Sequence, residues 1–356
     1  MKKILFLVLL LSFSCKSDKS ENTETSEARK PEKKEFSSVV IENIFEDDSL
    51  SIRAVEIIGN NLAFAANKGT FGLYNNQTGE MKTGVISYGD YIPEFRAVAS
   101  TSNDVFVLSV GNPALLYKTG DSGQMELVYR EEGEKVFYDS MTFWNDLEGI
   151  AIGDPTENCL SMIITRNGGK SWEKLDCSLL PETTEGEAAF AASNSNIAVV
   201  DDNTWVLSGG KKSRVFYSPD KGKTWDVFDT PLIQGSETTG GYSIDFYDED
   251  NGIIIGGDYT KPDDNSANKA ITSDGGKTWK LIAKAEEPGY KSSVRFVPNS
   301  NGKNIVATGF TGISFSADGG KNWEQLSEES FFTLRFLNDS TAYATGKGRI
   351  SRLLFK

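Results

Sequence analysis

Histidine is absent from all 356 residues. That absence alone excludes the Ser-His-Asp triad, the Cys-His dyad and every histidine-containing metal site. Any chemistry falls to carboxylates, Tyr, Lys, Arg or hydroxyls. Positive charge is in deficit: 37 Lys and Arg stand against 51 Asp and Glu, a net charge of -14. Generic affinity for nucleic acid or an anionic membrane surface is thereby excluded. Proline is sparse (10) beside 34 glycines, a balance expected where tight turns join many strands. No Gly-x-Gly-x-x-Gly stretch opens a helix, so a dinucleotide fingerprint is lacking. Neither a cofactor nor a metal is expected.

The N-terminal apolar run, Ile4 to Leu11, is too short to span a bilayer, which takes about 20 residues. It follows Lys2 and Lys3 and precedes the small residues Ser12 and Ser14, the layout of an export signal over 1–14. Cys15 directly after it resembles the lipid-modified first residue of a bacterial lipoprotein. Residues 15–36 are polar, mixed in charge and almost free of large apolar groups. They cannot bury enough surface to fold and read as a tether. The expectation is a bacterial cell-envelope protein, held on the outer membrane or periplasmic face or at the cell surface. Its membrane contact would run through the lipid alone. The two other cysteines, Cys159 and Cys177, fall opposite each other if the turn "RNGGK" centres on Gly168, and a disulfide is then expected outside the cytoplasm.

From 37 to 356 the chain repeats itself. "TRNGGKSW" (165–172), "SPDKGKTW" (218–225), "TSDGGKTW" (272–279) and "SADGGKNW" (316–323) are variants of one phrase. Around each lies a longer pattern of short alternating runs and Asn/Asp/Gly turns. Seven such units stack, starting at 51, 94, 140, 187, 243, 293 and 333. A period of 40–50 residues with four short strands per unit predicts an all-β, seven-bladed β-propeller of four-stranded antiparallel blades. The last unit is one strand short. "SSVVIENI" (37–44) is expected to supply that outer strand and close the ring, hiding sheet edges.

The repeated phrase resembles the Asp-box, or BNR repeat, Ser/Thr-x-Asp-x-Gly-x-x-Trp. Through it the chain is similar to the propellers of sialidases and of the photosystem II assembly and stability factor group. "FYDSMTFW" (137–144), "GDP" (153–155), "GEAAFAAS" (186–193) and "GGDY" (256–259) resemble a bacterial group of BNR-like propellers whose members carry labels such as oxidoreductase or glycosyl hydrolase. The boxes themselves read as structural: the Asp or Asn caps turn amides, Gly permits positive φ, and Trp packs between strands.

Chemistry, if any, belongs at the axis, where the first strand of each unit lies. Aligned on the Arg of "SIRAV", one column reads Arg53, Arg96, Thr142, Ala189, Asp245, Arg295, Arg335. Two residues earlier, on the same strand side, stand Glu94 and Glu187. An inner ring of Arg53, Arg96, Arg295 and Arg335 with Glu94, Glu187 and Asp245 is expected. It suits either an anion-binding mouth, since arginine presents a fixed fork to carboxylate or phosphate, or a set of ion pairs between units. The expected role is non-enzymatic: a monomeric scaffold or assembly factor binding a protein or an anionic glycan at the mouth. The alternative is a sialidase-like glycoside hydrolase, with Glu187 and Asp139 as acid–base carboxylates and Tyr138 as a nearby phenol.

Overall fold

The computed structural model describes residues 35–121 and 123–356. The export signal, Cys15 and nearly all of the tether lie outside the described residues. The chain from 35 onward is an all-β propeller of antiparallel strands, and its commonest sheet has four of them.

Each sheet grows from alternation in the sequence. In Phe95–Ser100, Val105–Ser109, Ala114–Thr119 and Met125–Glu131, the first three strands are mostly buried and the last half exposed. The same outward gradient holds in Ser293–Phe296, Ile305–Gly309, Gly312–Ser316 and Glu324–Ser327. Side chains alternate between the two faces of a strand, so each sheet is apolar on both and must be sandwiched. The core accordingly lies between neighbouring sheets. Phe106, Leu108 and Leu116 of one sheet pack on Met141, Ala151, Ile163 and Trp172 of the next. Each fully buried side chain of this size contributes roughly 1.5–3 kcal/mol.

The strands group into six hydrogen-bonded sheets, not the seven blades expected. Strand Val39–Ile58 is the reason. Its first part pairs with the C-terminal strand, Val39 opposite Phe355 and Glu42 opposite Arg352. Its second part pairs with Asn61–Ala66. The register breaks between Glu46 and Ser51 but the strand does not. Last and first repeats are therefore joined into one six-stranded sheet. The N-terminal segment does add to the C-terminal strand, and Arg352 Nη2 lies 2.5 Å from Glu42 Oε2.

The four repeated phrases adopt one turn. The opening Ser or Thr hydroxyl accepts from a glycine amide four residues on: Gly169, Gly222, Gly276 and Gly320, at 2.8–3.0 Å. These glycines have φ between 72° and 85°, where a Cβ would be strained. The Asn or Asp side chain then accepts from the amide of Ser171, Thr224, Thr278 or Asn322. In the last three copies the tryptophan closes the turn by donating Nε1–H to its own glycine carbonyl. All of these polar groups are spent on the turn, so the phrase is a structural part.

Cys159 and Cys177 form a disulfide with Cα atoms 5.5 Å apart. The hairpin between them pairs Ile163 with Lys174 and Ile164 with Glu173, one residue off the register that centring on Gly168 requires. The bridge forms beyond the end of this ladder, where Cys177 opens a short 3-10 turn.

Candidate functional site

Arg53, Arg96, Arg295 and Arg335 come from four inner strands and do converge. Three have carboxylate partners: Arg96 with Glu94 (2.6 Å), Arg295 with Asp245 (3.3 Å) and Arg335 with Glu56 (3.4 Å). Glu56 takes the place that Glu187 was expected to hold. Four arginines against three carboxylates leave a net charge of +1 on a chain of -14. Burial and the neighbouring Arg295 push the Arg335 guanidinium down to about 10, yet arginine stays protonated at neutral pH.

Arg53 is the exception. Its Nη1 donates to Ala192 O (3.3 Å), its guanidinium lies 4.1 Å from the Phe332 ring centroid, and its Nε is buried with no acceptor. It makes no ion pair with any described residue. Burial and the adjacent Arg96 both lower its pKa.

The axis does not run open through the ring. Segment 190–196 reaches inner strands on several sides. Ala191 O accepts from Arg96, Ala192 O from Arg53 and Asn194 O from Arg335 (2.6 Å). The Asn194 side chain bonds Val98 O and Met141 N, while Ser193 reaches Ser292 O. These carbonyls accept from three of the four converging arginines, and the segment forms a floor. Above it is a cavity of about 380 Å³ lined by Arg53, Arg96 and six aromatic rings: Phe190, Tyr242, Tyr259, Tyr290, Phe310 and Phe332. Phe190 and Tyr242 stack at 4.1 Å, and Tyr290 stacks on Phe310 at 5.1 Å. Tyr259 (47% exposed) and Phe310 (44%) stand open to solvent.

The residues expected for acid–base work are not brought together. Glu187 sits in the two-residue strand Glu187–Ala188, its side chain fully buried and held by Arg214 Nη2 (2.5 Å) and Nε (3.0 Å) and by Ser208 (2.6 Å). Tyr138 and Asp139 are consecutive in one strand, at the bulge where the register slips between Ser140 and Tyr138, and their polar ends meet different neighbours. The Tyr138 hydroxyl donates to Glu131 at 2.6 Å, and burial pushes its pKa well up, which disarms it as a nucleophile. Asp139 is wholly buried, and the Ala191 amide and Arg96 nearby offset only part of the cost of its charged form.

Burial first, then the nearby Asp154, push the Asp139 carboxyl well above the ordinary range. Burial alone lifts Asp154 to about 6, although its carboxylate accepts from Ala189 N at 2.8 Å. An acid with a raised pKa in the fold stabilises it below the unfolded value, and that stabilisation is lost as pH climbs through the folded value. Asp154→Asn keeps the acceptor and removes the titration. The variant should gain on the wild type by on the order of 2–3 kcal/mol between pH 4 and pH 7, read by urea denaturation at each pH. A stability difference that does not move with pH would refute this.

Unit four departs from the expected alignment. Its inner strand is Ile197–Val200, so Ala189 and Glu187 are not in the ring. A signal existed: Ala189 lies twelve residues before the turn at Asp201, against three to six for the other units. Most of the aromatic rim carries no such signal, because Phe190, Tyr259, Tyr290, Phe310 and Phe332 lie in connections between strands.

Comparisons with known proteins agree with this architecture. A family model for the sortilin-Vps10 domain (Sortilin, neurotensin receptor 3) matches residues 160–312, less than half of the chain. No curated protein sequence matches it. Among solved structures, YCF48 bound to D1 peptide is similar at 14% identity, TM-score 0.64, over 91% of this chain and 99% of that one. YCF48 from Cyanidioschyzon merolae follows at 11% identity, TM-score 0.62, over 88% and 98%. The structure of U3-55K matches at 13% identity, TM-score 0.60, over 89% and 98%. At such identities the likeness establishes the fold, a β-propeller.

Proposed function

We propose that this chain is an exported, lipid-anchored propeller of the Asp-box kind that binds a protein partner at its axial mouth and catalyses no reaction. One observation carries the reading. Arg53 is a cation in an aromatic cup that makes no ion pair with any described residue. A ligand's anion entering the cavity would supply the charge partner that Arg53 lacks. A propeller solved with a peptide bound, YCF48 with D1 peptide, supports a protein rather than a glycan as the partner. Anchorage through Cys15 rests on the apolar run before it and the polar tether after it. The hydrolase alternative loses support because Glu187, Asp139 and Tyr138 are separately buried and paired or isolated.

The test is capture from envelope extract of the source cells. Wild-type protein is expected to retain a partner that Arg53→Ala loses at least tenfold, with no turnover of a fluorogenic sialoside by either. Equal retention by both proteins would remove the mouth as the binding face.

A further inference from the structure

One seam between units lacks a contact that four others share. A Cβ placed at Gly169, Gly222, Gly276 or Gly320 would come within 2.1, 2.8, 3.0 or 2.6 Å of Phe106, Ile164, Trp205 or Ile282 in the preceding unit. The repeated turn is pressed against its neighbour at each of these places. Unit two has a degenerate copy, "TGDSGQM" (119–125), one residue shorter and with Met125 where the others carry tryptophan. A Cβ at its Gly123, φ 76°, would meet no atom within 4 Å. The Thr119 hydroxyl does not take the glycine amide either. It donates to Asp104 Oδ1 at 2.9 Å and accepts from Val105 N at 3.0 Å, while the Gly123 amide goes to Gly120 O at 2.8 Å. The turn thus stands off unit one. A cleft of about 790 Å³ opens between the two units, a size that suits a small-molecule site.

The lining of this cleft is chemically uncommitted. The side chains of Asn61, Asn103 and Asp121 border it and make no hydrogen bond or ion pair with any described residue. Asp104 is paired with Lys118 at 2.9 Å and Glu80 with Lys82 at 3.5 Å, so one carboxylate, Asp121, is left over. That charge disfavours an anionic ligand. A cation would gain little, since one exposed ion pair contributes about 0–1 kcal/mol. No cluster of three acidic, His or Cys side chains able to hold a metal ion exists among the described residues. What remains is a set of hydrogen-bonding groups of both kinds. Each amide offers two donors and an acceptor, and the carboxylate accepts only. Leu73, 38% exposed, and Ile58 give the same cleft an apolar patch. A pyranose matches both features: its adjacent hydroxyls each donate and accept, and its C–H face is apolar.

We infer that the cleft between units one and two is a binding site for a neutral sugar residue, separate from the axial mouth, with Asn61, Asn103 and Asp121 holding its hydroxyls and Leu73 under its ring.

The experiment titrates the full chain with the methyl glycosides of glucose, galactose, mannose and N-acetylglucosamine, and with maltose and cellobiose, followed by saturation-transfer NMR and calorimetry. Spermidine, calcium chloride and galacturonate serve as companions. At least one neutral sugar is expected to bind with a dissociation constant on the order of 1 mM or tighter. Asn103→Trp, a change at an exposed turn position, fills the cleft and should abolish binding with the denaturation midpoint unchanged. Asp121→Ala, also exposed, should weaken it at least fivefold. Arg53→Ala should leave it as it is. A sugar that binds both cleft variants as tightly as the wild type sits elsewhere and overturns the site, and so does one lost with Arg53→Ala. Spermidine, calcium or galacturonate binding in place of every neutral sugar overturns the ligand class. No sugar bound at all overturns the inference, whatever the mouth binds.

Discussion

Glu187→Gln is expected to destabilise the fold by roughly 3–5 kcal/mol, the cost of removing one partner from a buried ion pair. The Glu187 side chain is fully shielded and that of Arg214 is 12% exposed. Arg214 also donates to Glu182 O and stacks on Phe216, so it cannot swing into water when the carboxylate is lost. Glutamine offers one acceptor in place of two charged oxygens and brings a donor facing other donors. The pair also fixes the start of the segment that floors the axis, since Glu187 accepts from Thr184 N and its strand pairs with Gly210. The variant should therefore lose urea stability and mouth binding together. Replacing both partners by Glu187→Leu and Arg214→Met should recover most of the stability, because a well-packed apolar pair is often no worse than a buried ionic one. A single variant as stable as the wild type would show that the pair is solvated. Loss of any activity in Glu187→Gln is thus a folding result and carries no evidence for a catalytic carboxylate.

Trp205→Ala should cost a similar 3–5 kcal/mol, the range for deleting a large buried aromatic side chain. Trp205 is 1% exposed, lies flat on Phe246 at 3.6 Å and on Tyr217 at 5.6 Å, and donates Nε1–H to Gly275 O at 2.8 Å. That carbonyl belongs to the repeated turn of the next unit, so one side chain joins two sheets by packing and by a hydrogen bond. Alanine would leave both a cavity and an unpaired buried carbonyl. Trp205→Phe would keep most of the packing and forfeit chiefly the hydrogen bond, about 1–3 kcal/mol. Trp279→Ala should fall well below Trp205→Ala, because Trp279 is only partly buried and its Nε1–H closes its own turn. Denaturation midpoints for the three variants give the ranking. Trp279→Ala as costly as Trp205→Ala would invert the account, placing the stabilisation in the turn rather than between sheets.

Most of the architecture was legible because its signals are local. Strand alternation, the turn residues and the four-fold phrase "S/T-x-D/N-x-G-K-x-W" each act within about ten residues, where backbone sterics and side-chain capping decide conformation. The pairing of 39–46 with the C-terminal strand was legible too, since the last unit lacked a strand and the N-terminal segment had the composition of one. The sheet count was not. Whether two repeats share a continuous strand depends on the path of the chain between Glu46 and Ser51, and composition does not encode that path. The inner-strand columns were legible wherever the lead-in to the first turn is three to six residues, and not in unit four, where a longer connection carried Glu187 out of the ring.

The amino-acid sequence by itself determined the repeat, the all-β class, the turn chemistry, and the presence of Arg53, Arg96, Arg295 and Arg335 on inner strands. Only the tertiary structure decided which of those arginines is neutralised, that segment 190–196 floors the axis, and that six aromatic residues, Tyr242 from a strand and five from connections, meet above Arg53. The reason is range. Hydrogen bonds within a strand or turn are set by neighbours along the chain. The pairing of charges at a common centre depends on the length and course of every connection around it.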